Sequence, residues 1–317
     1  MSGEVRTASL AERLARRSAD EMVDALGLSR APRVVRDAAR SVFVRASRPL
    51  GDVLARFDGG AARDGICAAA AGALRDLDAR WTRDGAPPKD GPLLVVANHP
   101  GAYDALVLFA AAGRDDVAAL AADRTFLRAL PAVSRHLVFL PDPPDPSDRR
   151  GPHPSSAARR DRGDAGGART RGAGLLRACR HMARGGAIFH FGAGRIEPDP
   201  DFLPRGAPAL LPWSRGTGAL VRAAARANGH VVVAAVRGVH SPRIKRLLVT
   251  RIAERYGWTT LAPLLQVAVP VFHDVDARVA FSDALDAAEL ARGAADDAAI
   301  APRLRAIALS MIADRPS

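Results

Sequence analysis

The sequence predicts an α/β protein, with a mainly parallel central sheet flanked by helices and an N-terminal helical region before it. Two patterns carry that expectation. From Leu93 onward, short apolar runs alternate with helix-length stretches of mixed polarity, the signature of βα units. Several of the runs, such as "LLVVA" and "VVVAAV", are apolar at every position, which suits strands covered on both faces. Composition agrees: of 317 residues 48% are hydrophobic and 25% charged, enough to bury a full core.

The elements follow in order. Residues 1–88 read as helical. Ser9 is placed as an N-cap with Glu12 three positions on, the capping-box spacing, and this helix should stop near Gly27. "APRVVRDAARSVFVRASRPLG" carries Val35, Ala38, Ala39, Val42 and Ala46 at helical spacing between arginines, and stops at Pro49–Gly51. "GGAARDGICAAAAGALRDLDARW" is a third helix. "TRDGAPPKDG" reads as a linker into an α/β domain over 89–317. There, Leu93–Ala97 is a strand, Ala105–Ala112 a helix, Val117–Ala121 a strand, "RTFLRALPAVSRH" a short helix and Leu137–Leu140 a strand. Residues 141–172, rich in Pro, Gly, Ser, Asp and Arg with almost nothing to bury, read as a flexible loop. "GLLRACRHMARGG" is then a helix, "AIFHF" a strand, "GTGALVRAAARANG" a helix, and "VVVAAV" and "ARVAFS" strands.

Charge and cysteine content narrow the function classes. The formal net charge is +12, nearly all arginine, since Lys89 and Lys245 are the only lysines. Such a chain favours an acidic partner: anionic lipid, nucleic acid, a phosphorylated substrate or an acidic carrier protein. Aromatics are 5% and no basic stripe is interleaved with them, which argues against nucleic acid. Cys67 and Cys179 are too few for a disulfide framework or a cysteine zinc site. No apolar run reaches the ~18 residues of a spanning helix, and the N-terminus is too charged for a signal peptide. The expected location is cytoplasmic, peripheral on the inner face of the cell membrane.

The chemistry-bearing stretch is "LLVVANHPGAYDAL". His99 follows a strand and Asp104 stands five residues later, in the first turn of the next helix. Ligands of open α/β sheets bind beyond the carboxyl ends of the strands. Asp104 can fold back onto one ring nitrogen of His99 and aim the other at a hydroxyl, making a general base. That hydroxyl can belong to a substrate, because no Gly-x-Ser-x-Gly elbow occurs. Spacing alone leaves a second possibility, a helix-capping Asn98 or His99 with a solvated Asp104.

Asn98, His99 and Asp104 match the Asn-His-x4-Asp block of the glycerolipid acyltransferases, the lysophosphatidate and glycerol-phosphate acyltransferases, and the chain resembles that family over roughly residues 90–285. "AADRTFLRALPAVSRHLVFL" is similar to its second block, with Pro141 where an arginine is usual. "FGAGRIEPDP" stands where the family has Phe-Pro-Glu-Gly-x-Arg: Phe191 and Gly194 match, Gly192 and Ala193 replace the proline and glutamate, and Arg195 lies one place before the family's arginine. Glu197 is the available carboxylate. Ala234 takes the proline's place in the fourth block.

The resemblance implies acyl transfer from a thioester, on coenzyme A or acyl carrier protein, to a hydroxyl of a glycerophospholipid precursor. His99 is then the base and Asp104 its orienter. Gly192, Gly194, Arg195, Glu197 and Arg124 are the acceptor-binding candidates. No metal and no cofactor beyond the thioester co-substrate is implied. The alternatives are an acyltransferase acting on a non-glycerol lipid, or a non-catalytic protein binding anionic membrane or nucleic acid.

Overall fold

In a computed structural model of the chain, the described residues are 8–28, 31–101, 103–141, 157–203, 207–247, 250, 265–266 and 269–314. Four helices come first: α1 (Leu10–Ala25), α2 (Arg33–Ala46), α3 (Arg48–Arg63) and α4 (Ile66–Asp76). They are followed by β1 (Arg80–Asp84), β2 (Leu93–Ala97), α5 (Asp104–Ala111), β3 (Val117–Ala122), α6 (Thr125–Arg128) and β4 (Leu137–Leu140). Then come α7 (Ala157–Ala183), β5 (Ala187–Phe191), α8 (Arg215–Arg226), β6 (His230–Arg237), α9 (Pro242–Arg246), β7 (Asp276–Phe281), β8 (Leu285–Asp286), α10 (Ala287–Arg292) and α11 (Asp297–Ala313).

One eight-stranded sheet runs in the order β1-β7-β6-β2-β5-β3-β4, with β8 against β6. Strands β6, β2, β5, β3 and β4 are parallel to one another; β7 is antiparallel to β6, and β1 is parallel to β7. The sheet separates two apolar layers. Leu93, Val95 and Ala97 of β2 face one layer with Val107 and Leu108 of α5, Phe57 of α3 and Leu14 of α1. Leu94 and Val96 face the other, with Met182 of α7, Leu220 of α8 and Leu304 of α11. A strand buried on both faces needs no polar positions, so "LLVVA" is apolar throughout.

Several sequence expectations are corrected. Pro49 does not end a helix; it sits in the first turn of α3, where its missing N–H costs nothing. The third helix breaks at Gly65, whose φ of +87° suits glycine, giving α3 and α4. Residues 80–84, inside the stretch read as helical, pair with β7 as strand β1. The loop expected over 141–172 is helical from Ala157: after Pro154 the segment is proline-free and rich in Ala and Arg, both good helix formers. Residues 142–156 of that loop lie outside the described residues. The capping box of Ser9 and Glu12 is present in both directions.

β2 is the central strand for function. Its connection through α5 leads past β5 to β3, whereas β5 leads through α8 back past β2 to β6. Helices α5 and α8 pack on opposite faces of the sheet, so the chain leaves the adjacent carboxyl ends of β2 and β5 to opposite faces, the arrangement beside which open α/β sheets place ligands.

Candidate functional site

The chain leaves the sheet at Asn98, which is fully buried. Its side-chain amide donates to Val236 O at 2.8 Å and accepts from Val236 N at 2.7 Å. It thus pairs with β6 as one more peptide unit would. This is not the helix cap that spacing alone allowed.

His99 comes next. Its Nδ1 lies 2.6 Å from Asp104 Oδ2. The same oxygen accepts from Gly101 N at 2.8 Å, and Oδ1 accepts from Ala105 N at 2.6 Å. Asp104 is the first residue of α5, and its side chain is 2% exposed against 27% for His99. The carboxylate is therefore not solvated; it is committed to two amides and one imidazole. An ionised carboxylate on Nδ1 keeps the proton there and leaves Nε2 as the basic nitrogen.

Two further contacts fix the imidazole and its backbone. The ring stacks on Phe191, at the end of β5, with centroids 4.0 Å apart and planes 17° from parallel. His99 N donates to Glu197 Oε2 at 3.0 Å while Glu197 N donates to His99 O at 2.7 Å. Burial pushes the His99 pKa down, but the charge and hydrogen bond of Asp104, with the charge of Glu197, outweigh it and place the ring above the usual histidine range.

The acceptor-binding candidates fall into different places. Gly192 is buried; its N–H donates to Ala97 O at 2.9 Å, and its carbonyl accepts from Ser214 N at 2.7 Å. A Cβ there would overlap the Trp213 ring. Gly194, at φ +65°, is exposed, and its N–H donates to Phe191 O at 3.0 Å. Both amides are thus engaged inside the protein, and the glycines serve packing and turn geometry here. Glu197 is 2% exposed, and its Oε1 accepts from Leu211 N at 2.9 Å. Burial pushes its carboxyl above the usual range against the pull of these amides.

Arg195 is exposed in the turn after β5, the parallel neighbour of the strand that ends before His99. Arg124 follows β3, also exposed, and feels the charge of Glu21 in α1. The structure therefore joins His99, Asp104, Phe191 and Glu197 in one contact network, whereas Arg195 and Arg124 are exposed residues following β5 and β3.

Asp199, two residues beyond Glu197, is 1% exposed. It accepts from Gly238 N at 2.9 Å, Asp201 N at 3.1 Å and His240 N at 3.0 Å. Trp213 and Asp199 were not legible as partners of the site. The alternation Glu197-Pro198-Asp199-Pro200 is the signal that marks the second of them. His190 is a packed strand residue: its Nε2 lies 3.0 Å from Thr217 Oγ1, and burial pushes its pKa down to about 4.

Among the described residues, no three His, Cys, Asp or Glu side chains converge as metal ligands. Among those residues, too, no helix is long and apolar enough to cross a membrane.

No family model matches the chain. No curated protein matches it either. Among solved structures the chain is similar to the crystal structure of the 1-acyl-sn-glycerophosphate (LPA) acyltransferase PlsC from Thermotoga maritima, at 16% identity and a TM-score of 0.46 over 97% of each chain.

Proposed function

We propose that the protein is an O-acyltransferase moving a fatty acyl group from an acyl thioester, on coenzyme A or acyl carrier protein, to a hydroxyl of a glycerophospholipid precursor such as lysophosphatidate or glycerol 3-phosphate. The observation that carries this reading is the 2.6 Å contact between His99 Nδ1 and a buried Asp104 at the carboxyl end of the central strand. The Asn-His-x4-Asp block in which the pair stands supports it. Nε2 of His99 takes the proton of the acceptor hydroxyl as its oxygen attacks the thioester carbonyl. The tetrahedral intermediate then collapses, breaking the C–S bond, and the departing thiolate takes the proton from the imidazolium. The exposed Arg195 and Arg124, beyond the carboxyl ends of β5 and β3, would offer guanidinium forks to an acceptor phosphate.

A peripheral position on anionic membrane, at the inner face of the cell membrane, belongs to the same proposal. No residue of α2 is buried. Val34, Val35 and Val42 are exposed on it (81%, 49% and 64%), interleaved with Arg33, Arg36, Arg40 and Arg45. Apolar residues flanked by arginine suit a helix lying in the headgroup region.

The test is an acyl-transfer assay with purified protein, both donor types and an acceptor panel including lysophosphatidate, glycerol 3-phosphate and a non-glycerol amino-lipid. Release of free thiol and formation of the acylated lipid are followed together. His99→Ala should lower kcat by about 10²–10⁴ while leaving the fold intact. A folded His99→Ala protein with wild-type turnover would end the mechanism. Transfer confined to the amino-lipid would replace the acceptor class and keep the chemistry.

A further inference from the structure

The chain from Glu197 to Pro200 reads Glu-Pro-Asp-Pro and buries both carboxylates, at 2% and 1% exposure. A buried carboxylate is costly unless its oxygens are taken up by donors. Here they are taken up by backbone amides from separate parts of the fold. Glu197 receives His99 N, just beyond β2, through one oxygen and Leu211 N through the other. Asp199 receives Gly238 N and His240 N, just after β6, and Asp201 N in its own turn.

The two prolines set the spacing between these grips. Each fixes its own φ and restricts the residue before it to extended backbone. Asp199 is extended, at φ −72° and ψ 123°. Alternation in an extended segment would normally send neighbouring side chains to opposite faces, so Glu197 and Asp199 share one face. Gly238, at φ +68°, has no room for a Cβ beside Asp276 O, so the turn that Asp199 grips is itself tightly defined.

We propose that Glu197 and Asp199 are positioning residues for the base. Asp199 anchors the strap to the turn after β6, and Glu197, held at the other end, clamps the backbone of His99 so that its ring lies on Phe191 and against Asp104. This rests on the acyl-transfer reading for its catalytic consequence but not for its structural content. It also gives Glu197 a task different from holding acceptor. Both of its oxygens already face amides, and its N–H is spent on His99 O.

The experiment compares Glu197→Gln and Asp199→Ala with wild type by two readouts. The first is steady-state kinetics with both substrates varied. The second is the NMR position of the His99 Cε1 proton, which the Phe191 ring current shifts upfield when the two rings stack. The strap predicts a loss in kcat of about 10²-fold, the cost typical of a misplaced catalytic group. It also predicts an unchanged acceptor KM and the collapse of the upfield shift in both variants.

A raised acceptor KM at unchanged kcat in Glu197→Gln would make Glu197 an acceptor contact and overturn the proposal. Lower thermal stability with kcat and ring-current shift both intact would reduce the strap to a fold element and overturn it as well. If Asp199→Ala does not fold, Asp199→Asn, which can keep the bonds to Gly238 and Asp201 through one oxygen, takes its place. Should the wild-type protein transfer no acyl group to any acceptor, the functional reading fails by itself. The ring-current shift still decides the strap.

Discussion

Replacing Asp104 by asparagine tests the dyad without emptying its site. The carboxylate has three commitments: Oδ2 accepts from His99 Nδ1 and Gly101 N, and Oδ1 accepts from Ala105 N. An asparagine of the same shape has one oxygen and one NH2. If the oxygen takes the Oδ2 place, the NH2 faces the Ala105 N–H, donor against donor. If the NH2 takes that place, it opposes Gly101 N–H and donates to His99 Nδ1, which moves the imidazole proton to Nε2 and removes the base. Either orientation strands a buried amide, costing about 1–3 kcal/mol of stability.

The second orientation also abolishes general-base function, so kcat should fall toward the 10⁴-fold typical of a wrong tautomer in a His–Asp pair. Asp104 is moreover the main influence raising the His99 pKa against burial. The base works only when neutral, so activity is lost as pH falls through that pKa. Any residual activity of Asp104→Asn should therefore persist to lower pH than wild type does. The assay is thiol release from an acyl thioester across pH, with folding checked by denaturant melts. An Asp104→Asn variant with near-normal kcat and an unmoved acid limb would refute the assignment of Asp104 as orienter.

Gly192→Ala should destabilise by about 1–3 kcal/mol in a denaturant melt, because its Cβ would overlap a buried Trp213 that must move; unaltered stability would mean the indole yields freely. Arg195→Ala should raise the KM of a phosphate-bearing acceptor and leave donor KM in place, as a Michaelis analysis of both substrates would reveal. A Val34→Ser, Val42→Ser double variant should weaken sedimentation with anionic vesicles. Wild-type binding should also fall as salt rises, since exposed charges are screened within about 10 Å at 0.1 M.

How far the sequence could be read depended on whether a signal was local. "LLVVA" announces a doubly covered strand because every side chain meets an apolar layer. Asp104 reaches His99 across a single turn, and such a contact can be read from spacing. β1 could not be read this way: "RWTRD" is an edge strand with no buried position, held by its ladder to β7 rather than by any apolar pattern. The first part of α7 was hidden by averaging Ala and Arg together with the prolines just before it. The helix α11 carries Pro302 within it, a residue that masks a helical pattern in sequence.

In the site, the contacts of Gly192 and Glu197 were not legible for a common reason. Their partners, Trp213 for one and the amides of His99 and Leu211 for the other, lie on other segments that only the folded chain brings alongside.

If His99 is the base proposed above, its stacking on Phe191 would change character during turnover. With the ring neutral, the two faces meet as an ordinary aromatic pair at 4.0 Å. Once Nε2 has taken the proton, the same geometry holds a cation over a π-face. That attraction is worth about 0.5–1 kcal/mol at exposed sites and about 2 or more when desolvated. It is missing from the neutral ring and would grow as the proton arrives. A contact of that kind lowers the barrier and does not merely tighten the ground state. On that reading Phe191 would be an electrostatic participant disguised as packing, and an aliphatic side chain of equal bulk would fill its place without doing its work.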